Sequence, residues 1–231
     1  MFEATKTRAV RREDFERTYF SGSVLDIGSG PDLVVPHAQP FDLEHGDANE
    51  ITKVWSAQSF DCVHSSHCLE HMANPPRVLE QWWSLVRPNG FLVIVVPHED
   101  LYEQGIWPSA FNPGHKATFR VGRSTSWSPA SHDLRALAEA LPNAKIVDCC
   151  IQDHGYDKEM VRKLPLAWKR FLLSVGRHRG RMLKALMRRG FPVFRLSCLL
   201  DRFEISLGRP VDQTQRGALA QIQLIVQKLK I

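Results

Sequence analysis

The sequence predicts an α/β fold in which parallel strands alternate with helices, and three observations point to it. Residues 24–27 form a short apolar run before a glycine-rich turn, and residues 91–96, FLVIVV, are apolar throughout. A strand that is apolar on both faces is typical of the centre of a parallel sheet. Residues 75–86 place apolar side chains at helical spacing, with two prolines in the first turn and Pro-Asn-Gly at 88–90 as the expected end. Strand, helix and strand joined by short turns form a parallel sheet with crossover helices.

The remaining elements follow from the same patterns. Residues 41–43 and 60–64 are predicted as strands because their apolar residues are bounded by polar ones. A helix is expected to begin at a cap on Ser131, and residues 144–151 alternate between apolar and polar as a strand does. Residues 218–226, ALAQIQLIV, form the last predicted strand.

Residues 157–213 are predicted to be a helical insertion between the last two strands. An apolar stripe over 164–175 predicts one helix, and residues 181–189 predict a second. Basic residues gather here: residues 155–210 hold 14 Lys and Arg against 4 Asp and Glu, which leaves 16 against 21 in the rest of the chain. The formal charge of +5 therefore reflects one local surface.

The composition places the chain among ordinary globular proteins. It has 231 residues, of which 43% are hydrophobic and 24% charged. No apolar run approaches the roughly 20 residues of a membrane-spanning helix, and the N-terminus is too charged for a signal peptide. The five cysteines lack C-x-x-C spacing. We expect one cytoplasmic domain, with an N-terminal helix over 1–20, a cofactor-binding core over 21–156, the insertion over 157–213 and a final strand over 214–231.

Asp26, Gly28 and Gly30 form an Asp-x-Gly-x-Gly turn after the first strand. Glycine in such a turn lets a ligand lie close against the backbone. A dinucleotide site would need a third glycine and a helix N-terminus at the pyrophosphate. Here Asp32 takes the third position, and prolines at 31, 36 and 40 prevent a normal helix. A nucleoside with a cationic centre, an amino-acid tail and no phosphate suits this turn, which describes S-adenosylmethionine.

Four motifs occur in order along the chain: VLDIGSG, FDLEHGDA, SFDCVHSSHCLEHM and RPNGFLVIVVPHED. Together they resemble the sequential motifs of class I S-adenosylmethionine-dependent methyltransferases, over about residues 20–151 and again at 218–226. The runs HSSHCLEH, PHEDLYEQGIWPS and FNPGHKATF are similar to a bacterial subgroup of the methyltransferase type 11/23 kind. The resemblance implies a Rossmann-like sheet of seven strands with helices on both faces, an antiparallel last strand, and S-adenosyl-L-methionine as cofactor.

The resemblance also implies roles for particular residues at the carboxyl edge of the sheet, where open α/β folds bind ligands. The methionine part of the cofactor would be held by Asp26, Gly28 and Gly30. Asp42 or Glu44, after the second strand, would accept hydrogen bonds from the ribose hydroxyls. The other implied cofactor-binding residues are Asp47 and the Ala48 backbone at the adenine, and Ser65, Ser66 and His67 at the end of a later strand.

Methyl transfer to a hydroxyl requires that the two reactants be aligned and that a base take up the proton. Histidine is the usual base near neutral pH. Three histidines are candidates, each of which also has a structural interpretation as a packing or acceptor-contacting side chain: His67, His98 and His115. Tyr102, Trp107 and Phe111 are expected to form an apolar wall for the acceptor or a lid on the sheet.

A metal site is an alternative interpretation of the histidines and carboxylates near one strand edge. The residues in question are His64, His67, His71, His98, Glu99 and Asp100. The i, i+4 spacing of His67 and His71 can place two imidazoles on one helix face. Neither an H-E-x-x-H order nor a third ligand at diagnostic spacing accompanies them. The sequence therefore predicts no metal site, and Glu70 and His71 are interpreted as packing residues.

The expected reaction is methylation of a small-molecule or glycan-type acceptor, on oxygen. The glycan suggestion rests on similarity to methyltransferases of surface-polysaccharide pathways. Two alternatives are a non-catalytic adaptor that docks through the insertion and an RNA methyltransferase. The insertion is interpreted as a solvated cap or, over 160–189, as a helix that contacts anionic membrane through Trp168, Phe171 and Leu172. No base-stacking platform accompanies the basic charge, so nucleic acid is not an expected partner.

Overall fold

The computed structural model describes residues 3–161, 163–189, 191 and 194–230, and predictions for 1, 2, 162, 190, 192, 193 and 231 lie outside the described residues. The strands in this part are β1 (Val24–Ile27), β2 (Gln39–Phe41), β3 (Phe60–Ser66), β4 (Val86–Pro97), β5 (Thr118–Arg120), β6 (Ser131–Asp133), β7 (Ala144–Gln152) and β8 (Gln221–Lys228). The α-helices are α1 (Glu3–Arg8), α2 (Phe15–Tyr19), α3 (Pro75–Ser84), α4 (Leu134–Glu139), α5 (Leu166–Arg188) and α6 (Phe194–Ser206). Within these ranges no helix combines the length and apolarity that crossing a bilayer requires.

Six strands form the central sheet, in the order β2, β1, β3, β4, β8, β7. The first four are parallel, and β8 lies antiparallel between β4 and β7, which confirms the Rossmann-like sheet and its antiparallel last strand. The predicted count of seven strands was wrong for the described residues. Between β2 and β3 the chain forms a short 3-10 helix, Ala48–Lys53, and no strand. Asp47 caps this helix through the Asn49 N–H, a local bond that favours a turn over an extended chain.

Apolar clusters cover both faces of the central sheet, as predicted. Leu92 and Ile94 of β4 belong to the larger cluster, together with Trp82 of α3. Val93, which lies between them in sequence, belongs to the cluster on the other face with Phe20. Successive side chains of a strand point to opposite faces, so a central strand buried on both sides must be apolar throughout.

Helix α3 begins where the sequence predicts. The Asn74 side chain accepts a hydrogen bond from the Arg77 N–H at 3.2 Å, and two prolines occupy the first turn. The helix ends at Ser84, two residues before the predicted end, because Val86 already pairs with Phe60 of β3. Burial of one apolar face against the sheet and capping at the N-terminus together account for this helix.

Residues 88–90 were expected to end the helix, but they form an irregularity within β4. The register between β3 and β4 shifts after Phe60, and Asn89 has a φ of 66°. A Cβ on Gly90 would lie 2.5 Å from the Asp61 carbonyl oxygen, so only glycine allows the two strands to approach this closely.

Other predicted boundaries also moved. Residues 131–133 form β6, which pairs parallel with β5, so the predicted cap at Ser131 was wrong. The cap is Asp133, whose carboxylate accepts two backbone N–H hydrogen bonds, at 3.0 and 3.2 Å. The N-terminal segment contains two short helices, β2 begins two residues before the predicted 41, and β8 begins three residues after the predicted 218.

The insertion contains α5 and α6, and α5 is one continuous helix where two were predicted. A cluster of four charged side chains joins the two helices: Arg179 and Arg209 pair with Asp201 and Glu204. The Arg179 Nε lies 2.7 Å from the Glu204 Oε1, and the Glu204 side chain is buried. A Cβ on Gly176 would lie 3.0 Å from the Glu204 Oε2. A glycine within α5 therefore marks its close approach to this charged cluster.

Two basic side chains of α5 connect the insertion to the loop after β4. The Lys169 ammonium donates to the Gln104 carbonyl at 2.5 Å, and the Arg170 guanidinium donates to the Trp107 carbonyl at 2.8 Å. Burial lowers the pKa of Lys169. Two basic side chains of the insertion therefore hold it to the rest of the fold, and of these Lys169 is buried while Arg170 remains exposed.

We predict that Leu92→Ala lowers the free energy of unfolding by about 2–5 kcal/mol, because it empties space in the centre of the sheet. Leu199→Ala is the matched control. The Leu199 side chain, in α6, is 65% exposed while Leu92 is fully buried, and surface changes of this kind cost within about 0.5 kcal/mol. Urea unfolding followed by circular dichroism measures both, and equal losses would contradict the assignment of the core.

Candidate functional site

The turn after β1 contains two glycines with different surroundings. Gly28 has a φ of 74°, and a Cβ there would lie 2.7 Å from the Cys68 Cβ. Gly30 has a φ of 53°, and a Cβ there would meet no atom within 4 Å. Gly28 is thus required for close packing of the turn against the chain after β3, whereas Gly30 borders open space that a ligand can enter.

Asp42, directly after β2, holds this turn in place. Its Oδ2 accepts hydrogen bonds from the Gly30 N–H at 2.9 Å and from the Ser29 hydroxyl at 3.2 Å. The sequence left Asp42 and Glu44 as alternatives. The Glu44 side chain is 81% exposed and contacts His45 at 4.0 Å. Of the two, Asp42 lies in the wall of a cavity and Glu44 does not.

The cavity beside β2, which we call the β2 cavity, has a volume of about 650 Å³. Its wall includes Asp42, Leu43, Asp47 and Ala48. Leu43 is 92% exposed, which leaves an apolar surface that a flat ring can cover. Asp47 Oδ1 accepts from the Asn49 N–H and side-chain amide at 2.8 and 2.7 Å, and these bonds lower the pKa of Asp47. The β2 cavity therefore combines an apolar surface with carboxylate acceptors.

A smaller cavity, which we call the turn cavity, lies at the glycine turn and has a volume of about 220 Å³. It is bordered by three carboxylates, Glu3, Asp26 and Asp32, and by Ser66. The Ser66 hydroxyl is buried and has no hydrogen-bond partner among the described residues. A cavity with this charge suits an ammonium or sulfonium group and disfavours a phosphate.

Asp26 is expected to hold the methionine part of a cofactor, but in the structure its carboxylate is already engaged. It accepts hydrogen bonds from the Val34 N–H at 2.7 Å and from His64 Nδ1 at 2.6 Å, and it is 1% exposed. Burial lowers the pKa of His64 and outweighs the opposing effect of Asp26. Asp26 thus joins the glycine turn to β3 and to the loop that follows the turn.

Asp32, at the third position of the glycine motif, anchors α1. Its carboxylate accepts hydrogen bonds from the Thr5 N–H at 2.9 Å and from the Thr5 hydroxyl at 2.6 Å. This brings Glu3 and Ala4 to the wall of the turn cavity. Asp32 therefore holds α1 beside the glycine turn, after which a normal crossover helix would begin.

His67 lies where the cavities meet. It follows β3 directly, has a φ of 54°, and lines the β2 cavity, the turn cavity and a third cavity described below. Its Nε2 is 3.1 Å from the Gln221 Oε1, and its Nδ1 is 3.5 Å from the Glu70 Oε1. Burial acts to lower the pKa of His67, but interaction with Glu70 and the charge of Glu3 outweigh it and raise the pKa.

The third cavity, which we call the outer cavity, has a volume of about 560 Å³ and lies beyond His67. Tyr102 and Phe111 line it, with ring centres 5.8 Å apart in an edge-to-face arrangement. Burial raises the pKa of Tyr102. Of the predicted aromatic wall, Trp107 does not line this cavity, and its carbonyl accepts from Arg170.

The structure places the other two candidate bases differently. His115 lines the outer cavity and is buried, with its Nδ1 2.7 Å from the Glu103 Oε1. His98 lines none of these three cavities. It caps the helical turn after β4, where its Nδ1 accepts from the Asp100 N–H at 3.2 Å. Burial lowers the pKa of His98.

Ser65 also lies away from these cavities. Its hydroxyl donates to the Ile27 carbonyl at 3.0 Å inside the sheet, while Ser66 lines the turn cavity. The structure thus brings together at the cavities eight of the predicted cofactor residues and one further base candidate: Asp26, Gly28, Gly30, Asp42, Asp47, Ala48, Ser66, His67 and His115. Sequence reasoning missed Glu3 and Gln221, because nothing in their local sequence shows that α1 and β8 border the site.

The donor set at these cavities fits S-adenosylmethionine. The open side of Gly30 and the unpartnered Ser66 hydroxyl leave polar space next to three carboxylates, where an amino-acid tail and a cationic sulfur can lie. The β2 cavity offers carboxylates for ribose hydroxyls and an exposed leucine for a base. The three carboxylates of the turn cavity disfavour a pyrophosphate there.

The chain is similar to several solved structures at low identity. A S-adenosylmethionine-dependent methyltransferase from Archaeoglobus fulgidus is 16% identical, with 99% of this chain and 95% of that chain covered and a TM-score of 0.49. A putative methyltransferase from Bacillus halodurans is 13% identical, with 90% of this chain and 92% of that chain covered and a TM-score of 0.45. A putative sarcosine dimethylglycine methyltransferase from Galdieria sulphuraria is 14% identical, with 85% of this chain covered and a TM-score of 0.41. This chain covers 61% of that protein, about three fifths of its length.

No curated protein matches the sequence. The family model described as a methyltransferase domain matches residues 8–141, more than half of the chain. This match covers β1 to β4 and the residues that line the three cavities, apart from Glu3, Ala4 and the lining residues within 212–221. The chain therefore belongs to the methyltransferase domain family, as its motifs predicted, and is a methyltransferase that uses S-adenosylmethionine.

Proposed function

We propose that this methyltransferase transfers a methyl group to a hydroxyl oxygen of a small-molecule or glycan-type acceptor bound in the outer cavity. The observation that carries the proposal is that His67 lines all three cavities, at the boundary between the donor side and the acceptor side. The outer cavity is within the range of volumes that hold small ligands, and its wall mixes aromatic rings with carboxylates and imidazoles, as polar sugars require.

The donor side divides between two cavities. Asp42 accepts hydrogen bonds from the ribose hydroxyls through the oxygen that does not bind Gly30, and Asp47 and the Ala48 backbone lie at the base. Ser66 and the carboxylates of the turn cavity receive the amino-acid tail. S-adenosylmethionine supplies an electrophilic methyl on a positively charged sulfur.

The acceptor side must supply an oxygen with a lone pair in line with that methyl. In this proposal His67 takes up the hydroxyl proton as the carbon–oxygen bond forms and the carbon–sulfur bond breaks. The Glu70 Oε1 lies 3.5 Å from the His67 Nδ1 and stabilises the charged imidazole. Alignment of acceptor and donor by the walls of the two cavities provides the rest of the rate enhancement.

We also propose that the insertion docks this enzyme on anionic membrane. Apolar side chains of α5 that are between 37% and 56% exposed are Leu166, Trp168, Phe171, Val175, Met182 and Met187. The rings of Trp168 and Phe171 stack with centres 5.3 Å apart, whereas Leu172, the third residue predicted on this face, is buried. α5 carries seven Lys or Arg and no Asp or Glu. Exposed aromatic rings on a positively charged helix match an anionic bilayer, whose headgroups are negative and whose acyl chains are apolar.

We predict that Asp42→Asn weakens the binding of S-adenosylhomocysteine by about 10- to 100-fold, because a charged acceptor at the ribose and at the Gly30 N–H is lost. Glu44→Gln makes the same chemical change two residues away on an exposed side chain and leaves the affinity unchanged. Titration calorimetry measures both variants. A loss in Glu44→Gln with none in Asp42→Asn would assign the ribose to the other carboxylate.

We predict that His67→Gln reduces methyl transfer to the acceptor by about 100-fold or more, since general-base catalysis contributes that much. His98→Gln is the matched control, and it retains activity because His98 lies outside the cavities. The assay screens sugars and nucleotide sugars with labelled S-adenosylmethionine and identifies the product by mass spectrometry. Equal activity of the wild type and His67→Gln would exclude His67 as the base.

We predict that Trp168→Ala reduces binding to phosphatidylserine-containing vesicles by about 10-fold, from the loss of one buried aromatic side chain. Trp127→Ala removes a tryptophan that is 38% exposed outside the insertion and leaves binding unchanged. Co-sedimentation with these vesicles and with pure phosphatidylcholine vesicles is the measurement. Tight binding to RNA with no binding to either vesicle would show that the partner of the insertion is nucleic acid and not membrane.

A further inference from the structure

Three side chains of different loops meet in the wall of the outer cavity. Glu70 and His71 belong to the helical turn after β3, and His115 belongs to the loop before β5. Each offers one donor atom, and these three atoms lie within 4.8 Å of one another. The loops are joined by backbone hydrogen bonds from Lys116 and Ala117 to the Glu70 carbonyl, at 2.8 and 3.1 Å, so the arrangement is part of the fold.

Both imidazoles are oriented in the way that metal-binding histidines usually are. The Nδ1 of His115 lies 2.7 Å from the Glu103 Oε1, and the Nδ1 of His71 lies 3.0 Å from the Gly114 carbonyl. An oxygen acceptor at Nδ1 fixes the ring and leaves Nε2 as the ligand nitrogen. The Nε2 of His115 is 3.9 Å from the Glu70 Oε1. The two rings meet edge to face, with centres 4.9 Å apart.

The Glu70 carboxylate is the second, independent observation. It is 1% exposed, and both of its oxygens are buried without a hydrogen-bond partner among the described residues. Glu99, a buried carboxylate at the same edge of the sheet, accepts hydrogen bonds from Arg123, Ser126 and Ser131. The His67 Nδ1 lies 3.5 Å from the Glu70 Oε1, which is too long for a strong hydrogen bond. A buried carboxylate held this weakly is unfavourable unless a cation compensates its charge.

We propose that Glu70, His71 and His115 bind one divalent transition-metal ion of the zinc class. Two imidazoles and one carboxylate suit zinc and its neighbours, whereas calcium and magnesium prefer oxygen ligands. Ligand atoms in a tetrahedral zinc site are about 3.4 Å apart, so the side chains must draw together modestly when the ion binds. Three protein ligands leave one coordination position open, and it faces the outer cavity. That this position takes an oxygen of the acceptor rests on the proposed function.

Zinc titrated into the untagged, chelator-treated protein tests the site by calorimetry, without donor or acceptor. We expect saturable binding of one ion per chain, which Glu70→Gln and His71→Ala abolish. Glu103→Gln, which alters the hydrogen bond that orients the His115 ring, weakens binding by about 10- to 100-fold. His178→Ala is the control, because it removes a histidine on α5 whose Nδ1 bonds the Ser174 carbonyl; it leaves zinc binding unchanged. Cobalt(II) absorption, lost in the same variants, reports the ligand geometry.

Circular dichroism confirms that each variant is folded, and His71, which is partly exposed, tolerates truncation better than Glu70. Wild-type zinc affinity equal to that of Glu70→Gln and His71→Ala would overturn the site. A titration with S-adenosylhomocysteine in the same sample separates the two proposals. Intact binding of this nucleoside without zinc binding would remove the metal site and leave methyl transfer in place.

Discussion

Parallel pairing of β1, β3 and β4 is the constraint on which the rest of the structure depends. In this register Ile27 lies beside Ser65, and Ser65 lies beside Ile94, so all three strands end at one edge of the sheet. The glycine turn, the segment that begins at His67 and the loop after β4 therefore leave the sheet side by side. Because strand ends converge there, the β2, turn and outer cavities share walls, and one histidine can border all three.

This edge also collects buried carboxylates, and their hydrogen bonds differ. Asp26 accepts two hydrogen bonds and holds the glycine turn in place. Glu99 accepts hydrogen bonds from Arg123, Ser126 and Ser131 and connects the loops around β5 and β6. Glu103 uses one oxygen to orient His115. Glu70 accepts no well-formed hydrogen bond from the described residues, although three imidazoles surround it and the His67 Nδ1 is 3.5 Å from its Oε1. Buried charge that does not hold the fold together is what distinguishes the outer cavity chemically.

Local patterns predicted the elements whose stability is local or that need a continuous apolar run. The run of β4 is buried on both faces, and Asn74 and the prolines define the start of α3. Where two local signals compete, the sequence could not decide. Ser131 and Asp133 are both good caps, and pairing with β5 selected Asp133. Asp42 and Glu44 are both carboxylates after β2, and the hydrogen bond from Gly30 selected Asp42 for the cavity wall.

The sequence by itself determined the fold class, the methyltransferase family and the type of cofactor, because ordered motifs at strand ends carry that information within short segments. Only the tertiary structure decided which side chains meet. Asp32 anchors Thr5 across 27 positions, His67 meets Gln221 across 154, and Glu70 meets His115 from another loop. The reason is physical: a side chain's partner across the sheet is set by strand order and loop packing, and neither leaves a periodic signal in the residues around it.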